Sequence, residues 1–280
     1  MSNITGHTIT GGSGTQIYIE TMGNPANPAV IYLHGYAQSR LAWRHQFTPE
    51  MAESIFQVRV DMRGHGNSEK PEGLELYQDG KNWADDVQAI ITTLGLQKPV
   101  LAGSSYGGLV ITNYLEHYGQ DHIGGLIYVG AGTETGSREA GALLGAEFME
   151  LGAPMLSGDM AVAIPAIKRY IEISTQTPLP QDELFMFMGF NAIVPLHVRQ
   201  GMLMRQFSSD EVLRTVKLPV MIIHGAEDRV VLPGFADFIV ERIPHADKRL
   251  YADCGHFPFI EFAAQFNADV AGFVTGVSSK

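Results

Sequence analysis

A G-x-S-x-G pentapeptide between an apolar run and a helix-like run is the feature that most restricts how this chain can fold. It is Gly103-Ser104-Ser105-Tyr106-Gly107, preceded by Pro-Val-Leu-Ala and followed, after Gly108, by Leu-Val-Ile-Thr-Asn-Tyr-Leu. A serine on a sharp strand-to-helix turn adopts an unfavourable backbone conformation, so the residues two positions on either side must be small. Gly103 and Gly107 meet this condition for Ser105. Ser104 does not meet it, because Tyr106 is large.

Ser105 needs a partner base, since a serine hydroxyl is a poor nucleophile until its proton is accepted. The candidate base is His256, in a Gly-His loop after the strand-like residues 248–251. A histidine base needs a carboxylate that fixes its tautomer and stabilises its charged form. The candidate acid is Asp228, in the loop after the strand-like residues 220–223. The three residues occur in the order Ser105, Asp228, His256.

Other residues compete for the positions of acid and base. Glu227 is adjacent to Asp228, Asp253 lies three residues before His256, and Glu134 follows another strand-like segment. The competing bases are histidines of neighbouring motifs: His34, His65 and His224. The only cysteine, Cys254, is more typical of a small buried hydrophobic residue than of a second nucleophile.

The ordered motifs resemble the α/β-hydrolase family, in its group of serine esterases, lactonases and cofactor-free haloperoxidases. The matching blocks span nearly the whole chain: residues 30–36, residues 61–68, the pentapeptide, residues 224–228 and the Gly255-His256 loop. The resemblance implies that His34, His65 and His224 shape loops and do not transfer protons. Haloalkane dehalogenases and epoxide hydrolases of this architecture use a carboxylate nucleophile, so the serine at position 105 disfavours both.

Two backbone N–H groups are the candidate oxyanion hole. A tetrahedral intermediate needs donors already in place where negative charge develops. The N–H group of Tyr106, directly after the nucleophile, is one candidate. The resemblance implies that the N–H group of Tyr36, directly after His34-Gly35, is the other.

Strand-like and helix-like segments alternate along the chain, which predicts a mostly parallel sheet. The resemblance implies eight strands flanked by helices, with a helical cap inserted after the sixth strand. We assign residues 1–131 and 217–280 to the core and residues 132–216 to the cap. The cap segment contains no convincing strand and is rich in methionine and phenylalanine.

Three local patterns give further structural predictions. Residues 15–21 alternate apolar and polar side chains, as an early antiparallel edge strand does. Residues 82–94 carry an apolar stripe of helical spacing, and Gly95 is a suitable C-cap. A last helix is expected to run from after Pro258 to about Gly276.

The apolar cap residues predict an apolar pocket. Most of them would pack the cap onto the core, but the dense cluster at residues 185–190 is also expected to line the pocket, because methionine adapts to irregular apolar shapes. This predicts a substrate with a small to medium apolar acyl or alcohol group. The predicted pocket residues are Phe148, Phe185, Met188, Phe190 and Phe257.

Composition restricts partners and location. With 30 acidic and 19 basic residues the net charge is −11, which disfavours nucleic acids and anionic membranes as partners. No signal peptide or span of transmembrane length is visible, and one cysteine excludes an internal disulfide, so a cytoplasmic enzyme is expected. No metal-binding or dinucleotide-binding motif occurs. We therefore predict no metal and no cofactor; the oligomeric state is left open.

These observations predict a serine hydrolase that cleaves esters by two-step acyl transfer. Lactones, activated amides, carbon–carbon bonds beside a ketone and peracid formation are alternatives on the same triad. A ligand receptor of this fold, which signals by cap movement with hardly any turnover, is the alternative from another class.

Overall fold

An eight-stranded sheet organises residues 4–278, the part of the chain that the computed structural model describes. The strands lie side by side in the order β1-β2-β4-β3-β5-β6-β7-β8, with bounds β1 (Thr5–Thr10), β2 (Gln16–Met22), β3 (Ala29–Leu33), β4 (Phe56–Asp61), β5 (Val100–Ser104), β6 (Gly125–Val129), β7 (Val220–Gly225) and β8 (Asp247–Tyr251). Strand β2 runs antiparallel to both of its neighbours, β1 and β4, and the other neighbouring pairs are parallel. The mostly parallel eight-stranded sheet is confirmed.

The central strands are buried on both faces. Every residue of β3, β4, β5, β6 and β7 is buried. This burial explains the near-continuous apolar sequences of β3, β6 and β7, because helices cover both faces of a parallel sheet.

The first edge of the sheet differs from the prediction. The alternating segment at residues 15–21 is β2, which is antiparallel as predicted but lies one strand in from the edge. The edge strand is β1, which the sequence did not reveal. Only Ile9 of β1 is buried, so this strand carries too few apolar residues to show a period.

The helices connect the strands and form the segment between β6 and β7. Before β6 lie α1 (Pro49–Ala52), α2 (Glu75–Gln78), α3 (Gly80–Leu94) and α4 (Tyr106–Tyr118). Between β6 and β7 lie α5 (Arg138–Ala142), α6 (Ala146–Met155), α7 (Met160–Ile173), α8 (Gln181–Ala192), α9 (Leu196–Leu203) and α10 (Asp210–Arg214). The remaining helices are α11 (Gly234–Arg242), α12 (Pro258–Glu261) and α13 (Ala263–Ser278).

Two helix predictions have different outcomes. Helix α3 ends at Gly95, whose φ of 62° is the left-handed conformation of a C-cap, as predicted. The single last helix is wrong, because Phe262 leaves helical geometry between α12 and α13. Glu261, the last residue of α12, accepts hydrogen bonds with its carboxylate from the N–H groups of Gly255 at 2.7 Å and Gln176 at 2.6 Å.

The segment between β6 and β7 is helical, as expected of a cap inserted after the sixth strand. Its extended pairings among the described residues are isolated bridges, Thr135 with Phe207 and Leu144 with Val231. Within residues 4–278, no helix is both long enough and apolar enough to span a bilayer.

Candidate active site

The three predicted site residues lie at one edge of the sheet. Ser105 directly follows β5, Asp228 lies in the loop after β7, and His256 lies in the loop after β8. Because these strands are parallel and separated only by β6, their carboxyl ends meet at the same edge. Such an edge is the usual position of a site in an open parallel sheet.

Ser105 occupies a strained turn between β5 and α4. Its φ of 52° and ψ of −115° lie outside the ordinary regions for an L-residue, and its N–H group donates to the carbonyl of Val129 at 2.9 Å. A Cβ on Gly103 would lie 2.5 Å from the carbonyl oxygen of Gly107, and a Cβ on Gly107 would lie 2.5 Å from that of Leu33. Both glycines are therefore sterically required, as the spacing argument expected.

Asp228 is a buried carboxylate with a full set of donors. Its Oδ1 accepts the N–H groups of Val230 at 2.8 Å and Val231 at 3.0 Å. Its Oδ2 lies 2.7 Å from Nδ1 of His256 and 3.2 Å from Nε2 of His224. Burial acts to raise the pKa of Asp228, but the charge of His256 and hydrogen bonds from both histidines outweigh it and lower the pKa to about 2. Asp228 is therefore ionised at neutral pH and orients His256.

His256 is held on three sides and leaves one ring nitrogen available. Its backbone N–H group donates to the carbonyl of Ser174 at 2.8 Å. Gly130, with a φ of 50°, lets the backbone pass beside the ring, since a Cβ there would lie 3.2 Å from Nδ1 of His256. The Nε2 atom is buried and has no hydrogen-bond partner among the described residues, so it is not bonded to the hydroxyl of Ser105.

The competing acids do not contact His256. Glu227 and Asp253 are exposed, and Glu134 accepts hydrogen bonds from Ser209. Of the four candidate acids, Asp228 is the one that the structure brings to the histidine ring.

Two of the competing histidines connect the loops after β3 and β4. His34 donates from Nδ1 to the carbonyl of Gly35 at 2.8 Å and accepts at Nε2 from the N–H group of Met62 at 3.1 Å. His65 donates from Nδ1 to the carbonyl of Arg63 at 2.8 Å, and the two rings lie 4.9 Å apart. Burial lowers the pKa of His34 to about 4 and that of His65 to about 3. Both rings are neutral at physiological pH.

The backbone around Tyr36 and Tyr106 suits the predicted oxyanion hole. Tyr106 is the first residue of α4, where backbone N–H groups have no intrahelical acceptor. Gly35 packs against the turn of Ser105, because a Cβ on it would lie 3.1 Å from Cβ of Ser105. Gln38 fixes this loop by accepting the N–H group of Gly35 at 3.0 Å and donating its own to the carbonyl of Gly35 at 3.3 Å.

A mostly apolar cavity of about 90 Å³ opens beside Ser105. We call it the inner cavity. The residues that line it come from the loops and helices that follow β3, β5 and β7 and from the segment between β6 and β7: Tyr36, Ser105, Tyr106, Leu109, Gly132, Glu134, Thr135, Leu144, Phe148, Tyr170, Met202, Leu203, Val230, Val231 and Phe235.

Of the five predicted pocket residues, Phe148 lines the inner cavity and the other four do not. Phe185 is 57% exposed on α8, and Met188 is half-buried. Phe190 and Phe257 are buried in an aromatic cluster around Phe187, whose ring centroid lies 4.7 Å from that of Phe190 and 5.3 Å from that of Phe257. This cluster packs α8 onto the loop of His256.

Two further features concern metals and cysteine. Between residues 4 and 278, no group of three or more histidine, cysteine, aspartate or glutamate side chains could hold a metal ion. Cys254 is fully buried, and burial together with the charge of Glu261 raises the pKa of its thiol. A thiol in this environment is a poor nucleophile.

Comparison with known proteins places this geometry in context. The alpha/beta hydrolase family matches residues 30–269. AB hydrolase superfamily protein YisY of Bacillus subtilis is 26% identical, over 96% of this chain and 98% of its own length. The non-heme haloperoxidase of Rhodococcus erythropolis is 23% identical, over 95% of this chain and 98% of its own. The structure is similar to that of the esterase RhEst1 from Rhodococcus sp. ECU1013, with a TM-score of 0.91 and 32% identity over 97% of this chain and 99% of that one.

Proposed function

The chain belongs to the alpha/beta hydrolase family, and we propose that it hydrolyses carboxylic esters through a triad of Ser105, His256 and Asp228. The observation that carries the proposal is the 2.7 Å hydrogen bond between Asp228 and Nδ1 of His256, at the sheet edge where Ser105 occupies its strained turn. The similarity to the esterase RhEst1 supports an ester as the substrate.

The proposed reaction is two-step acyl transfer. The hydroxyl of Ser105 attacks the ester carbonyl while Nε2 of His256 accepts its proton, and the alcohol then leaves with that proton. Water, deprotonated by His256, attacks the acyl-enzyme and releases the acid. Asp228 stays ionised throughout, consistent with its lowered pKa, and stabilises the imidazolium ion.

The N–H groups of Tyr36 and Tyr106 would bind the oxyanion of each tetrahedral intermediate. Removal of one such donor typically costs about 10²–10³ in turnover. The apolar lining of the inner cavity suits a small to medium apolar acyl or alcohol group. The residues from 132 to 216 would form the cap that covers this group, and the rest of the chain would form the core.

The test is hydrolysis of p-nitrophenyl esters from acetate to dodecanoate. We expect turnover that peaks at one chain length, falls to background in Ser105→Ala, and falls by roughly 10⁴ in kcat in Asp228→Asn, since the amide favours the wrong tautomer of His256. The matched control is Asp253→Asn, an exposed aspartate of the same loop as His256, which should retain activity.

Two results would contradict this proposal. Full activity in Asp228→Asn would show that another group orients His256. A folded wild-type protein that turns over none of the esters would exclude a general esterase and favour the lactone, carbon–carbon, peracid or receptor alternatives.

A further inference from the structure

Glu134 is a buried carboxylate that the proposed reaction does not use. It follows β6, and only 8% of its surface is exposed. Its Oε2 accepts the N–H group of Ser209 at 3.0 Å and lies 3.4 Å from the hydroxyls of Ser208 and Ser209. All of these bonds go to one oxygen, so within residues 4–278 Oε1 is left without a hydrogen-bond donor.

Glu134 lies where the inner cavity meets a larger one. The larger cavity has a volume of about 620 Å³ and extends between α5, α6 and the end of α9; we call it the outer cavity. The residues shared by the two linings form what we call the neck: Glu134, Thr135, Leu144, Phe148 and Leu203. Among the described residues that line the inner cavity, Glu134 is the only charged one.

The one basic residue among the described residues that line the outer cavity is engaged elsewhere. Arg205 also lines the outer cavity, but its guanidinium donates to the hydroxyl of Tyr106 at 3.0 Å, to Oδ1 of Asn113 at 2.6 Å and to the carbonyl of Gln78 at 3.1 Å. These bonds direct Arg205 towards α4 and α2, away from an ion pair with Glu134. The neck therefore presents an acceptor with negative charge beside the apolar side chains of Leu144, Phe148 and Leu203.

We propose that Glu134 makes the neck select substrates that carry a hydrogen-bond donor, above all an ammonium group, on the part remote from the scissile carbonyl. The apolar side chains of the neck would contact the intervening methylene groups, and Oε1 would accept the donor. A substrate with a carboxylate at that position would be disfavoured, because like charges repel strongly where water is scarce. The inference rests on the proposed function for its use in catalysis, but the preference itself is a property of the cavity.

The test compares three p-nitrophenyl esters in one enzyme. The 6-aminohexanoate ester, protonated at neutral pH, and the heptanoate ester have nearly the same shape and differ in charge; the adipate monoester carries a carboxylate instead. The variant Glu134→Gln keeps the size and the acceptor for Ser209 but removes the charge. The matched control is Glu150→Gln, which removes one negative charge from an exposed position on α6.

We expect the ratio of kcat/KM for the 6-aminohexanoate ester to that for the heptanoate ester to fall about 10-fold in Glu134→Gln, and the adipate monoester to gain relative to heptanoate. Glu150→Gln should leave both ratios within about twofold of wild type. Ratios are used because a general loss of activity cancels in them. Unchanged ratios in Glu134→Gln, with heptanoate still hydrolysed, would overturn the inference alone.

A binding measurement separates this inference from the proposed function. Calorimetry would compare 6-aminohexanamide with heptanamide, on Ser105→Ala protein with and without Glu134→Gln. In protein that keeps Glu134, we expect 6-aminohexanamide to bind more tightly than heptanamide. Glu134→Gln should reduce this preference about 10-fold. If this preference is observed while the wild type hydrolyses no ester, the proposed function is contradicted and the inference about Glu134 is supported. Equal affinities for 6-aminohexanamide with and without the charge of Glu134 would overturn the inference.

Discussion

Replacement of His34 by glutamine should make the folded protein less sensitive to acid. His34 is fully buried and neutral, with one ring nitrogen donating to the carbonyl of Gly35 and the other accepting from the N–H group of Met62. A glutamine side chain also carries one donor group and one acceptor, so His34→Gln can keep both kinds of bond while it removes the titrating group.

The magnitude follows from the lowered pKa. An unperturbed histidine has a pKa of about 6.5, and burial lowers that of His34 to about 4. Between these values the unfolded chain binds a proton that the folded protein excludes, so the free energy of unfolding falls as the pH is lowered. The contribution of His34 is fully present above about pH 6.5, and roughly 2 kcal/mol of it is lost between about pH 7 and pH 5. The contribution of His65 to the free energy of unfolding is also lost as the pH falls, since its pKa is lowered to about 3.

Urea unfolding followed by tryptophan fluorescence at a series of pH values measures this effect, because Trp43 and Trp83 are both buried. The stability of His34→Gln should fall by about 2 kcal/mol less than that of the wild type over this range. His122→Gln is the control, since it removes a histidine at an exposed position and leaves the buried pair untouched. Equal acid sensitivity in His34→Gln and wild type would refute a neutral, buried His34.

Two further substitutions test the turn at Ser105 and the attachment of the cap segment. Gly107→Ala places a Cβ 2.5 Å from the carbonyl oxygen of Leu33, so we expect destabilisation by roughly 1–3 kcal/mol and loss of ester hydrolysis. The control is Gly141→Ala, which has open space around the new Cβ and should leave the melting temperature unchanged. Arg205→Met removes the bond to the hydroxyl of Tyr106, and a loss of about 2–3 kcal/mol with a lower kcat is expected; an unchanged melting temperature would contradict it.

The sheet and the sheet-edge residues could be predicted because their signals are local. The pattern of two glycines around Ser105 follows from the space available at a single turn, and the structure shows backbone atoms filling that space on both sides. Asp228 and His256 each follow a strand-like run, so their placement at one edge needed only the parallel order of strands. Gly130, directly after β6, was missed, although a glycine at the end of a buried strand is a signal for a close backbone approach.

The pocket could not be predicted because its lining is assembled from distant segments. Helix α8 carries apolar residues on all sides, and composition alone does not show that Phe190 faces the aromatic cluster while Phe185 faces solvent. The cavity is lined instead by residues such as Leu109 and Val230, which lie close in sequence to Ser105 and Asp228. Which of them face the cavity depends on the orientation of α4 and of the loop after β7.

The attachment of the helical segment to His256 bears on the receptor alternative. The carbonyl of Ser174, at the end of α7, accepts the N–H groups of both His256 at 2.8 Å and Phe257 at 3.2 Å. Gly255 packs tightly against the backbone of Ser174, since a Cβ on Gly255 would lie 2.9 Å from the Ser174 carbonyl oxygen. Movement of α7 as a signalling lid would therefore displace the backbone of His256 and disturb its bond to Asp228. A segment that holds the proposed base, His256, and its neighbour Phe257 by backbone hydrogen bonds is better suited to the proposed turnover than to signalling by cap movement.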